Sequence, residues 1–295
     1  MIKPKFGGTL EQVQLSLANR DIQLIVETIG SENAPLWLLL PALSTVSSRS
    51  EWKDFIDVAK DVRRIVSFDW PGFGDSDRPP ITYDADVLCQ ALVAILQYIA
   101  IKNNQSITII AAGHSASIAL GMAAKYSNQW EKLVLVAPTW RGPFPTMTGL
   151  NPQKLSWIHK LISLPLIGPV LYRLNTSKTI LKLMLRRHVW VDSSLLSPEK
   201  VLDQQRLSRR TGARFASAAF VSGGLDPAAD RSWWLQQAEK LSCPMEIVLA
   251  DEAPPRSRKE MELLADHANH KINIKGRLGL HQEFGSTLAR RLLSF

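Results

Sequence analysis

Four short apolar runs, each closed within a few residues by proline or glycine, constrain this 295-residue chain more than any other feature. Leu36–Leu40 stops at Pro41, and Ile65–Phe68 runs into Asp69-Trp70-Pro71-Gly72. Ile107–Ala111 is followed by Gly113, and Leu133–Ala137 by Pro138. Runs of this length with almost no polar alternation suit strands buried on both faces, the condition of a parallel sheet. Strand-like segments at 13–17 and 22–27 precede them, around the turn-like Ala18-Asn19-Arg20-Asp21. Helical periodicity lies between them. Leu88, Leu92, Ile95, Leu96 and Ile99 fall on one face of a helix over 84–100, and a second helix fits 116–126. The alternation predicts an α/β fold with a mainly parallel central sheet covered by helices on both faces.

The pattern changes after residue 141. From 142 to 235 the periodicity is helical throughout, and Ser197-Pro198-Glu199 has the capping serine, first-turn proline and acid of a helix start. Strands resume at 245–249 and 271–275, and a last helix fits 283–293. The expected organisation is therefore a sheet domain over 1–141 and 236–295, interrupted by a helical insertion over 142–235.

A chain this long can bury a core without covalent staples. Cys89 and Cys243 match no metal-ligand spacing and no disulfide framework, which suits a reducing compartment. The start, MIKPKFGGTLEQ, lacks the apolar run of a signal peptide. No stretch reaches the roughly 18 uninterrupted apolar residues of a membrane span. A cytoplasmic protein is expected. The net charge of +8 comes with no nucleic-acid recognition motif. Its cations concentrate between 154 and 214, interleaved with Leu, Ile and Trp, so peripheral contact with an anionic membrane surface, or an anionic substrate, suits them at least as well.

The residues that carry chemistry begin with Gly113-His114-Ser115-Ala116-Ser117, set between an apolar run and a helix. Gly-x-Ser-x-small in that setting is the nucleophile-elbow arrangement, which exposes a serine hydroxyl and aims the next backbone N–H at a developing oxyanion. Ser115 is thus the candidate nucleophile and Ala116 an oxyanion donor. A serine needs a base. His281 follows the final strand and precedes the last helix, which satisfies the chain order Ser…acid…His. His114 would point away from the turn, and His159 and His188 read as surface or packing residues. His267 and His270 lack a third ligand, so no metal site and no cofactor are expected. The acid belongs in the loop after 245–249, where Asp251 and Glu252 are available.

Asp69-Trp70-Pro71-Gly72-Phe73-Gly74-Asp75-Ser76, the segments near 113–117 and 133–138, and 276–293 resemble the α/β-hydrolase superfamily over nearly the whole chain. The resemblance implies that the insertion is a helical cap over the active site, with Trp140 and Arg141 at its start contributing to the substrate pocket. Three departures accompany it. Ala253 stands where the family places its acid, so Glu252, or alternatively Asp251, must substitute. Pro41-Ala42 replaces the usual His-Gly, making Leu43 N–H the second oxyanion donor. Ser117 replaces a glycine.

The cap stretch from Leu155 to Tyr172 is markedly apolar, which suits a hydrophobic or lipid-like small molecule. The expected activity is a serine hydrolase acting on an ester or thioester with a large hydrophobic moiety, through an acyl-enzyme on Ser115. The altered acid and oxyanion positions carry a competing expectation: a non-catalytic protein that keeps the fold and binds a hydrophobic ligand.

Overall fold

The computed structural model describes residues 2–17, 19–102, 106–126, 129–228 and 230–294. Eight strands form one sheet: β1 (Thr9–Leu17), β2 (Arg20–Ile29), β3 (Leu36–Leu40), β4 (Arg64–Phe68), β5 (Ile107–Ala112), β6 (Trp130–Val136), β7 (Met245–Ala250) and β8 (His270–Ile274). Their order is β1-β2-β4-β3-β5-β6-β7-β8. From β4 to β8 every pairing is parallel, while the β1–β2 and β2–β4 pairings are antiparallel. Leu36–Leu40 and Ile107–Ala112 are buried at every residue, as strands covered on both faces must be. The β1–β2 hairpin turns where the sequence marks a turn, with Asn19 in left-handed backbone at φ 59°; Ala18 lies outside the described residues.

Helix α1 (Lys53–Ala59) packs with the carboxy-terminal α13 (Gly285–Leu293) on one face of the sheet. Helices α2 (Ala85–Lys102) and α3 (Ser115–Tyr126) cover the other. In length and composition α2 is apolar enough to cross a membrane. It does not stand free: Leu88, Leu92 and Ile95 are fully buried in the core cluster under β1 and β2.

Between β6 and β7 the described residues form helices and no strand: α4 (Pro143–Thr148), α5 (Pro152–Ser163), α6 (Ile167–Asn175), α7 (Lys178–Met184), α8 (Pro198–Ser208), α9 (Ala213–Ser222) and α10 (Arg231–Glu239). The sequence boundary at 235 falls inside α10. That helix packs against α3, where Trp233 closes over Gly121. Beyond β7 come α11 (Pro255–Ala265), β8 and the short α12 (Leu280–Glu283).

The turn over residues 69–76 is a hub. Arg49 is fully buried, and its guanidinium bonds Glu27 Oε2 at 2.9 Å, Asp75 Oδ2 at 2.9 Å and the Asp69 carboxylate. Its backbone N–H also donates to Asp69 Oδ1 at 2.6 Å. Asp75 pairs in turn with Arg210 from the cap at 2.5 Å and with Lys5 at 3.7 Å. Glu27 accepts the backbone N–H groups of Lys5, Phe6 and Gly8. Three cations thus meet three carboxylates, tying the amino-terminal strap, the sheet and the cap together. Gly74 has to be glycine here, because a Cβ would lie 2.0 Å from the Asp69 carboxyl carbon.

Candidate active site

β5 runs for six residues, to Ala112, and the strand-to-helix turn begins at Gly113, whose φ is +54°. Its N–H donates to Val136 O at 2.9 Å, and its carbonyl accepts from Thr139 N at 3.0 Å. A Cβ at Gly113 would point at Ala42, 3.1 Å from that residue's Cβ, in the loop after β3. The strained residue directly after the strand is the one whose side chain a nucleophile elbow displays. In this chain that residue is a glycine, and the turn displays no side chain.

Ser115 lies two residues further on, as the first residue of α3, and is completely buried. Its Oγ is 2.7 Å from Ala112 O, 2.8 Å from Pro41 O and 3.3 Å from Leu40 O. A hydroxyl has one proton, and here every neighbour is a carbonyl acceptor. No base among these contacts takes the proton, so the arrangement does not activate the oxygen. The expectation of an exposed Ser115 is corrected: the strand ends at Ala112, so the turn falls on Gly113, and Ser115 already belongs to the first turn of α3. Ala116 N–H closes the same turn onto Gly113 O at 3.3 Å instead of facing a cavity. Leu43, the other expected oxyanion donor, belongs to a residue packed in the core at 2 % exposure.

His281, in α12, is fully buried against the ring of Trp52, 5.0 Å between centroids. Its Nε2 is 3.1 Å from Glu51 Oε2. Glu51 was not singled out by the sequence, although Ser48-x-x-Glu51 is a legible capping box. Its carboxylate accepts Ser48 N–H at 3.3 Å and Ala42 N–H at 2.9 Å as well. Burial pushes the Glu51 carboxyl up, with the His281 contact opposing. In a serine triad the carboxylate holds Nδ1 and leaves Nε2 for the nucleophile. Here the carboxylate holds Nε2, and Nδ1 is buried without a hydrogen-bond partner among the described residues.

Glu252 does not approach His281. It is exposed, its Oε1 3.8 Å from Lys275 Nζ, and Asp251 lies 3.8 Å from Arg258. Both backbones are fixed to the β8 end, through Asp251 N to Ile274 O and Glu252 N to Gly276 O. Their side chains point outward, while Ala253 is buried. Neither carboxylate of this loop therefore serves His281, and Ala253, where the sequence pattern expects an acid, carries none.

Trp140 is nearly buried. Its Nε1 donates to Glu260 Oε2 at 3.2 Å, and the Arg141 guanidinium lies 5.1 Å over its ring. Both line a cavity of about 280 Å³ where the start of the helical insertion meets α11, with Thr139, Thr146, Arg256 and Glu260. No cluster of three or more metal-ligating side chains occurs among the described residues.

Next to the elbow, His114 Nε2 lies 3.2 Å from Asp226 Oδ1, and both residues are buried. Asp226 accepts Gly142 N–H on both oxygens at 2.9 and 3.1 Å, fastening the start of the helical insertion to the segment between α9 and α10. Burial pushes His114 down to about 4. It holds Asp226 up at about 8, against the Gly142 bond and Arg141. Between pH 4 and 6.5 the folded chain binds one proton more than the unfolded at Asp226 and one fewer at His114, so the two contributions cancel. Above 6.5 only Asp226 differs, and stability falls as pH rises to about 8. Urea unfolding across this window is expected to show that decline, and Asp226→Asn to flatten it; an unchanged slope in the variant would assign the proton elsewhere.

The model of a family described as Alpha/beta hydrolase family matches residues 37–271. No curated protein sequence matches the chain. Among solved structures it is similar to a thermophilic esterase from Thermogutta terrifontis, with TM-score 0.72 and 17 % identity over 97 % of each chain. It is similar to a bromoperoxidase from Bacillus anthracis, with TM-score 0.70 and 16 % identity over 97 % of this chain and 99 % of that one. It is also similar to an enol-lactonase from Burkholderia xenovorans, with TM-score 0.70 and 14 % identity over 95 % and 98 %. At these identities the likeness is one of fold.

Proposed function

The chain belongs to the alpha/beta hydrolase family, and on that premise we propose that it binds a small molecule with a hydrophobic body rather than forming an acyl-enzyme on Ser115. One observation carries this reading. The turn that would display a nucleophile carries Gly113 at its displayed position, and the hydroxyl of Ser115, two residues on, is spent on backbone carbonyls. The inverted contact of His281 agrees with it, since a base whose Nε2 faces Glu51 has no nucleophile to serve. The cavity lined by Trp140 and Arg141 offers an aromatic wall beside cations, which suits an amphipathic, anionic-headed ligand.

A fluorophosphonate probe tests the reading on the purified protein. No labelling is expected, and Ser115→Ala should be indistinguishable from the parent. Stoichiometric labelling abolished by Ser115→Ala and by His281→Ala would restore the serine esterase. A series of alkyl and aryl carboxylates read by thermal shift should stabilise the parent, and Trp140→Ala should remove the shift.

The buried contact between His281 and Glu51 favours one second reading, ester hydrolysis without a covalent intermediate. With a proton between Glu51 and Nε2, Nδ1 is the basic nitrogen that would take a proton from water as the water attacks the carbonyl carbon. Turnover of a p-nitrophenyl ester that survives Ser115→Ala and is lost in His281→Ala would select it.

A further inference from the structure

We propose that the outer face of α5–α7 docks on an anionic phospholipid surface. The helices α5 and α6 meet at 108° around Leu164-Pro165-Leu166. The bend presents Trp157, Leu164, Leu166, Ile167, Val170 and Leu174 to solvent, Trp157 at 59 % and Leu166 at 84 % exposure. At the end of α7, Leu183 and Met184 continue the patch. A convex, solvent-facing set of large apolar side chains of this kind marks an interaction surface.

Charge identifies what covers it. Residues 132–191 contain no aspartate or glutamate at all. Between Pro143 and Trp190 the same stretch holds seven lysines and arginines. Lys154, Lys160, Arg173, Lys178 and Lys182 are exposed beside the apolar residues. The ion pairs that residues 142–235 make among the described residues, Arg206–Asp203, Arg210–Asp75, Arg231–Glu260 and His114–Asp226, involve none of these cations. Apolar side chains at a helix bend, flanked by cations that make no ion pair among the described residues, combine the two forces that hold an interfacial element on a membrane. The side chains enter the acyl boundary and the cations meet the anionic headgroups. A second copy of the chain fits poorly, because a two-fold contact would set the same cations against each other. Nucleic acid would leave Leu166, Ile167 and Val170 facing phosphate. The docking holds whether the cavity beneath the cap binds its ligand or hydrolyses it.

Cosedimentation with phosphatidylcholine vesicles, with and without phosphatidylglycerol, tests the surface. Binding to the anionic vesicles is expected to exceed binding to the neutral ones by on the order of tenfold, and to weaken with salt. Leu166→Glu/Val170→Glu and Lys178→Glu/Lys182→Glu change exposed residues, so both variants should melt like the parent and each should bind anionic vesicles about tenfold more weakly. Equal binding to neutral and anionic vesicles, or none to either, overturns the proposal. So does anionic binding that Leu166→Glu/Val170→Glu leaves intact, which would mean adsorption by charge alone. A self-association abolished by Leu166→Glu/Val170→Glu, with no vesicle binding, would hand the face to a second copy of the chain.

Discussion

Arg49→Met is expected to cost about 3–5 kcal/mol of folding stability, the largest loss among the single substitutions considered for this protein. The reason is the balance at the hub. Arg49 is buried with Glu27, Asp69 and Asp75, and burial already pushes Asp69 up, with Arg49 as the first opposing influence. Without the guanidinium, Glu27 and Asp69 lose the one side-chain ion pair each makes among the described residues, whereas Asp75 keeps Arg210 and Lys5. Two buried carboxylates are then left with backbone N–H donors and no counter-charge, and must stay as uncompensated charges or take up protons. The defect should therefore shrink as the pH is lowered into the carboxylate range, since the variant escapes its penalty by taking up protons. Arg49→Lys should recover only a small part. One ammonium cannot replace separate contacts from Nε to Glu27 and from Nη1 to Asp69 and Asp75. Urea denaturation of the three proteins measures this. A loss below about 1 kcal/mol for Arg49→Met would show that the hub is solvated or redundant.

Much of this architecture is legible in the sequence, and the reasons differ by element. Leu36–Leu40 and Ile107–Ala111 announce buried parallel strands because a strand covered on both faces has no polar side to show. The antiparallel attachment of β1 and β2 leaves no comparable mark, since a hairpin reads alike at either edge of a sheet. At the site, a spelling outweighed a position. Gly-x-Ser-x-Ser matches the elbow only if the strand runs on to His114; it ends at Ala112, and the turn then falls on Gly113. The contact of Glu51 with His281 spans 230 residues, and no local pattern announces it. Ala253 was visible as a missing acid. Its consequence, a histidine turned to another carboxylate, needed the three-dimensional arrangement.

The elbow assignment can be made to create a reaction as well as to explain the lack of one. Gly113→Ser/Glu51→Ala/Ala253→Asp is expected to gain fluorophosphonate labelling at residue 113, absent in the parent, at a rate about 10²-fold or more above Gly113→Ser alone, the usual scale of general-base assistance. Each change answers one feature of the site. Serine at 113 restores a side chain to the turn, directed at Ala42; its left-handed backbone costs about 1–2 kcal/mol. Alanine at 51 removes the carboxylate that holds both His281 Nε2 and Ala42 N–H, freeing the base and a backbone donor together. Aspartate at 253 offers Nδ1 the partner that it lacks. Gly113→Ser alone should label far more slowly, because Glu51 still occupies Nε2. The order matters energetically: a nucleophile without a base gains little, and a base tied to a carboxylate cannot accept the serine proton. Mass spectrometry locates the label. Adducts on Ser115 in any of these proteins would return the nucleophile to that residue. A folded triple variant that stays inert would mean that the turn after β5 does not face His281, and the binding reading would then rest on the cavity beside Trp140 alone.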